Sequence, residues 1–287
     1  MNTTAQSETA HSSSVHSSLV HSAFASSVFD CPSFADNDFS KSPVSKLSGF
    51  EAFSPQQNHL LAAISHDEWS KLAPEMEEVD LPLNQVLSES GKTPAYMYFP
   101  TTAIVSLLYM TESGSSSEVA VIGNDGVVGI SLVLSGSNSL NQAVVQSAGR
   151  GYRIRAQAAK NAIHRESSTL NILLRYSQAM ITQVTQTAVC NRHHTIDQQI
   201  CRRLLLSLDR LQTNEIAITQ ETLASMLGVR RESVTDAALK LQSAGIISYK
   251  RGLITILDRK ALESRSCECY ATSRNEQLRL QKLPLVS

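Results

Sequence analysis

Residues 219–241 read TQETLASMLGVRRESVTDAALKL, and their spacing is that of two short helices packed across a tight turn. Leu223, Ala224 and Leu227 lie at i, i+1 and i+4 and share one helical face. Thr219 is placed to cap the N-terminus, and Glu221 sits in the first turn, where the helix dipole favours a carboxylate. Gly228 follows as a residue free to take the left-handed conformation that ends a helix. A second helix is expected from about Arg230 to Ser243. Val234, Ala237, Ala238 and Leu241 repeat at three and four, which leaves Arg231, Glu232, Thr235, Asp236 and Lys240 to face outward or sideways. This is helix-turn-helix spacing, in which the second helix is the one that enters a major groove. Gly245 closes that helix, and IISYKRGLITI over residues 246–256 reads as two short strands around a basic turn, a wing.

With 287 residues the chain has room for two domains and a sizeable core. Its net charge of -1 and pI of about 6.7 do not advertise nucleic-acid binding, but the charge is unevenly placed. Residues 51–90 carry eight acids against the single Lys71, whereas residues 192–260 carry eleven bases against seven acids, so the electrostatic footprint lies in the C-terminal part. No apolar run approaches the roughly 20 residues of a membrane span, and no secretory signal is expected. Five cysteines (Cys31, Cys190, Cys201, Cys267, Cys269) are an odd count that suits a reducing cytoplasm better than a disulfide framework.

The remaining texture falls into segments. Residues 1–45 are rich in Ser, with pentads beginning at His11, His16 and His21, and read as a disordered tail. Leu60, Leu61, Ile64, Trp69 and Leu72 predict one or two helices, with Trp69 packed in a core. Short β-type runs follow at 85–87, 96–99, 103–109, 118–122, 143–146 and 152–154, and eight of the twelve glycines punctuate this region. Many short strands with glycine turns point to a small antiparallel barrel or jelly roll. From about 156 to 211 there is neither Pro nor Gly. Leu170, Leu173, Leu174, Ile181, Val184 and Ala188 form a long apolar stripe that needs a partner surface, which a parallel copy from a second subunit over about 165–190 would supply. Thr195 and Gln198 make a capping box, so a new helix is expected after a break near His193 and His194, with Ile196, Ile200, Leu204, Leu205 and Leu208 as its core face.

A glycine-rich barrel, a long helix of dimerising type, a capped connecting helix and a winged helix-turn-helix with RESV (231–234) opening the second helix together resemble the Crp/Fnr family of bacterial transcription regulators. The resemblance covers about 55–270 and is most specific over 220–258. The segment GNDGVVGISLVL (123–134) sits where that family's barrel has its ligand cassette. The resemblance implies that Arg231 and Glu232 read base edges, with Ser233 and Thr235 close to phosphates. The chemistry agrees, since an Arg fork pairs with guanine O6 and N7 and a carboxylate accepts from cytosine N4. Lys240, Lys250 and Arg251 are expected on phosphates, and Arg230 on either phosphate or base. Asp236 stands where several members carry a second base-reading arginine, which predicts a different operator. The Glu and Arg of the cyclic-nucleotide cassette are replaced here by Ile130 and by the region 141–143, so no cyclic nucleotide is expected. The N-terminal cysteine cluster of iron–sulfur oxygen sensors is also absent.

Together these readings predict an α+β chain in five segments. These are a tail over 1–45, a sensory barrel with leading helices over 46–160, a dimerisation helix over 161–194, a winged helix-turn-helix over 195–265 and a C-terminal tail over 266–287. The expected function is a cytoplasmic homodimeric regulator that binds double-stranded DNA, with RNA polymerase as a further partner if it activates, and with no enzymatic activity, catalytic residues, metal or cofactor. The alternatives are a redox or metal sensor using Cys190, His194 and Cys201, which share a face if the helix is continuous, and a ligand-binding module that signals through protein contacts. Cys267 and Cys269 have no partner pair at zinc spacing and no assigned role.

Overall fold

Seven strands in the N-terminal half make two antiparallel sheets. They are β1 (Met76–Leu81), β2 (Val86–Ser88), β3 (Tyr96–Pro100), β4 (Ile104–Met110), β5 (Ser116–Ile122), β6 (Gln142–Ser147) and β7 (Gly149–Arg155), ordered β1-β7-β3 and β2-β6-β4-β5. The computed structural model describes residues 54–282 apart from 113, 136, 137, 166 and 212, so the tail expected over 1–45 lies outside the described residues. The sheets face each other across a core of Leu81, Tyr98, Val105, Ile122, Val128, Ala143 and Val145. They stay open, so this is a jelly roll and only loosely a barrel. Gly151 lets the central strand β7 fit between its neighbours, because a Cβ there would come within 2.7 Å of the Phe99 carbonyl oxygen.

Two short helices, α1 (His59–Ala62) and α2 (His66–Leu72), lead into the sheets. Asn58 caps α1 through Oδ1 and donates from Nδ2 to the Pro100 and Gly126 carbonyls, each at 2.9 Å, which ties the helix to both the β3 end and the cassette segment. Trp69 is half-buried against the core that α1 and α2 share with α4 (Ala156–Arg165) and α5 (Ser167–His193). The short α3 (Ser131–Leu134) contributes Leu132 to the same core.

The apolar stripe on α5 divides in two. Ile172, Leu173 and Tyr176 are buried against the chain's own jelly roll, whereas Leu174, Ile181, Val184 and Val189 remain exposed. Leu173, expected on the surface seeking a second subunit, therefore belongs to the inner face, about 100° round the helix from Leu174.

After the break at His194, α6 (Ile196–Leu208) opens with the expected capping box, Thr195 and Gln198 satisfying each other's backbone donors. Next come β8 (Glu215–Ala217), α7 (Gln220–Leu227), α8 (Arg231–Ser243), β9 (Ile247–Lys250) and β10 (Leu253–Ile256), the three strands forming a sheet ordered β8-β10-β9. Two helices end the described chain, α9 (Arg259–Arg265) and α10 (Glu268–Lys282). The segment expected as a C-terminal tail is thus mostly helix. Its sequence is polar enough to read as solvated, but Cys269, Tyr270, Ser273 and Leu280 are buried as α10 packs along α5, and Tyr270 bonds Asp209 at the end of α6.

Candidate nucleic-acid interface

The core of the C-terminal unit explains how α8 is presented. Leu223, Ala224 and Met226 of α7, Val234, Ala237 and Leu241 of α8, and Ile200, Leu204 and Leu205 of α6 bury one another. Gly228 ends α7 with φ of 65°, and its N–H closes back on the helix, so the chain turns sharply into α8. Gln220 Oε1 then accepts from Thr235 Oγ1 at 2.8 Å and pins the two helices together.

What remains on the outside of α8 is polar. Arg230 occupies the N-cap position without a capping bond, Arg231, Glu232 and Asp236 are exposed, and Ser233 and Thr235 are half-buried. Arg231 Nε stands 3.9 Å from Glu221 Oε2, with both side chains more than half exposed. An ion pair this wet contributes little, so the guanidinium can exchange its partner at small cost. Lys240, expected on a phosphate, lies in the last turn of α8 with Nζ 3.5 Å from Asp197 Oδ2 at the start of α6.

The wing is a β9–β10 hairpin whose registers Lys250↔Leu253 and Ile256↔Ile247 leave a two-residue turn of Arg251 and Gly252, at φ of 50° and 79°. Positive φ at both positions is the twist that joins right-handed strands, and it puts Lys250 and Arg251 at the exposed tip. Tyr249 anchors the wing, its N–H donating to Gln242 Oε1 at 3.0 Å and its hydroxyl to the Ile218 carbonyl at 3.2 Å.

Residues 198–265 match the family model for the Crp-like helix-turn-helix domain. That match spans the helix-turn-helix and the wing. Solved regulators of the Crp/Fnr family share its fold. FixK2 from Bradyrhizobium japonicum aligns at 15% identity over 67% of this chain and 98% of its own, with a TM-score of 0.56. A CRP-family regulator from Thermus thermophilus aligns at 16% identity over 66% and 96%, also at 0.56. A protein from Eubacterium rectale described as a Crp/Fnr-family regulator aligns at 17% identity over 73% and 98%, again at 0.56. Among curated proteins none matches the chain. The chain thus carries a Crp-like helix-turn-helix domain within a fold shared with Crp/Fnr-family regulators. No helix among the described residues is long and apolar enough to cross a membrane.

The helix-turn-helix unit is also fastened to the jelly roll, by contacts that sequence reasoning missed. Arg203 of α6 is 3% exposed and donates through Nη2 to Glu118 Oε2 of β5 at 2.8 Å, while Ser106 of β4 donates to the same oxygen at 2.5 Å. Just past α6, Arg210 grips Asp125 with Nε at 3.0 Å and Nη2 at 2.7 Å. Asp125 belongs to the segment expected to be the ligand cassette, and it also accepts from Gly123 N at 3.1 Å and Gln277 Nε2 at 2.5 Å. The only acid of that segment is thereby spoken for. Gly228 packs so close that a Cβ there would reach 2.9 Å from Ser117 Oγ, so the helix-turn-helix turn itself touches β5.

The three residues of the sensor alternative do not come together. Cys201 is fully buried in the core of the DNA-binding unit, and burial pushes its thiol up to about 12. Cys190 and His194 instead meet Cys267 and Cys269, the pair without a role in the sequence. The partners stand 77 residues apart, so no local spacing could have revealed them. Burial pushes Cys190 up to about 12 and Cys269 up to about 11.

Proposed function

We propose that the protein is a sequence-specific regulator that acts as a homodimer and sets two α8 helices into successive major grooves of a near-palindromic operator, about one helical turn apart. The observation that carries this reading is the opening of α8, where Arg231, Glu232 and Asp236 are exposed on a helix whose other face is locked into the core. Arg231 and Glu232 read base edges. Lys250 and Arg251 hold phosphates, as does Arg230, and Ser233 and Thr235 lie near the backbone. Asp236, one turn on from Glu232, rejects operators that would need a cation there. Lys240, at the far end of α8, makes at most a peripheral phosphate contact.

The dimer is supported by the outer face of α5. Leu174, Ile181 and Ala188 are seven residues apart, and Val184 and Val189 flank them, all exposed. This is the seam of a parallel coiled coil. A signal arriving at the jelly roll or α5 moves α6 through the Glu118–Arg203 and Asp125–Arg210 pairs and so changes how the two α8 helices are spaced.

Selection of bound sequences from random double-stranded DNA tests this, with wild type run beside Glu232→Ala and Asp236→Arg. The wild type is expected to return a two-fold symmetric motif, Glu232→Ala to relax one position in each half, and Asp236→Arg to change the preferred base. Binding that is insensitive to salt and unaffected by Arg231→Ala would overturn the reading. Light scattering that gives a monomer at working concentration would remove the two-half-site geometry.

A further inference from the structure

At the end of α5, Cys190 and His194 are four residues apart and project from the same side of the helix, the His194 N–H still bonded to the Cys190 carbonyl at 3.0 Å. Against them lies the start of α10 with Cys267 and Cys269. The four candidate ligand atoms all lie within 4.8 Å of one another, with Cys190 Sγ to Cys267 Sγ and Cys269 Sγ to His194 Nδ1 both 3.5 Å. Sulfurs bonded to one zinc ion at ~2.3 Å in a tetrahedron stand about 3.8 Å apart, so the cluster already has the size of a single-ion site. All three cysteines are buried. In a chain without a disulfide framework, such a grouping of soft ligands is metal-site chemistry.

Two neighbours strengthen the geometry. His194 turns Nδ1 to Cys269 and sets Nε2 3.3 Å from Glu268 Oε1, so that one ring nitrogen faces the cluster while the other faces a carboxylate. That is the arrangement by which a carboxylate orients a ligating histidine. On the other side is Arg202, 6% exposed and in no ion pair among the described residues. Its electrostatic neighbours are Cys190, Cys269 and Cys267, followed by Glu118, which is already paired with Arg203. A divalent ion held by three thiolates and a neutral imidazole has a net charge of about −1, which is the counter-charge this buried guanidinium lacks.

We propose that Cys190, His194, Cys267 and Cys269 form a closed tetrahedral site for one zinc-class divalent ion, which clamps α10 to the end of α5. Four protein ligands leave no open position, so the site is structural or sensory and not catalytic. Loading exchanges three thiol protons for the ion. Since α6 starts two residues after His194, the bound ion fixes the point from which the DNA-binding unit leaves the long helix. The inference goes beyond the DNA-binding reading, and the measurements that test it use no DNA.

The test takes the full chain, purified under reducing conditions without chelator, and measures its zinc by mass spectrometry. About one ion per chain is expected. After chelation, titration with cobalt should give a tetrahedral visible spectrum with thiolate charge-transfer bands that saturate at one equivalent. Cys201→Ser should leave stoichiometry and spectrum unchanged, while Cys267→Ser and His194→Gln should lose tight binding, with far-ultraviolet circular dichroism reporting that each is folded. Glu268→Gln should keep the spectrum but weaken metal affinity about 10- to 100-fold. A wild-type chain with no stoichiometric zinc and an octahedral cobalt spectrum overturns the proposal, as does a Cys267→Ser spectrum identical to wild type. A Cys190–Cys267 disulfide in chain extracted under reducing conditions also overturns it, in favour of a redox pair.

Discussion

Helices α6 and α8 are both 13 residues long and both carry arginines, yet their arginines live in opposite solvents. On α6, Arg202 and Arg203 are buried between the jelly roll and the helix-turn-helix core, and Arg203 is held by Glu118. On α8, Arg231 points into water with a loose partner 3.9 Å away. A guanidinium taken out of water must be matched where it sits, and once matched it fixes geometry. A guanidinium left in water keeps its freedom to pair with something else. The inner helix therefore holds the DNA-binding unit in place, and the outer one is available for recognition.

The contrast can be broken most forcefully from inside. Glu118→Ala leaves Arg203 buried without its carboxylate and is expected to cost about 3–5 kcal/mol, read as a lower urea midpoint at unchanged slope. A loss under about 1 kcal/mol would mean that Arg203 escapes to water and that the inner pair is no anchor. Next in size, Arg231→Ala should leave the urea curve where it is but weaken binding to a selected operator by about 1–3 kcal/mol and relax the base preference, measured by gel shift on matched and mismatched duplexes. Lys250→Ala is smaller still, weakening binding evenly across sequences and lowering the slope of log affinity against log salt by about one. The least effect is expected from Glu221→Gln, which removes the exposed partner of Arg231. Its stability should stay within about 0.5 kcal/mol of wild type, and a larger loss would show that the outer pair is structural after all.

The same contrast explains what the sequence makes legible. The helix-turn-helix, its glycine turn, the wing and the Thr195 capping box are local patterns, and each matches the structure within a residue or two. Strand β1 escapes a reading by pattern, because MEEVDL buries only Leu81 and pairs its acids Glu77 and Glu78 with Arg153 and Arg150 of β7. Its charge looks like that of a loop. Arg203 and Arg210 look like surface for the same reason, since only the jelly roll across from them makes their burial tolerable. The α5 stripe marks a partner-seeking face, but one period of apolar residues cannot separate Leu173, which packs at home, from Leu174, which does not. The cysteine cluster is the extreme case: its halves meet only because α10 folds back along α5.

The wing turn carries a consequence of another kind. Arg251 sits at φ of 50°, a left-handed conformation that an unbranched side chain with a Cβ adopts only against resistance. Asparagine or glycine would relax there. A hairpin built for rigidity alone would have used one of them, so the arginine marks a position at which folding comfort is given up for reach. Optimising this molecule for thermal endurance would begin by replacing that residue, and under the proposed phosphate contact would end with a sturdier protein that has lost part of its grip.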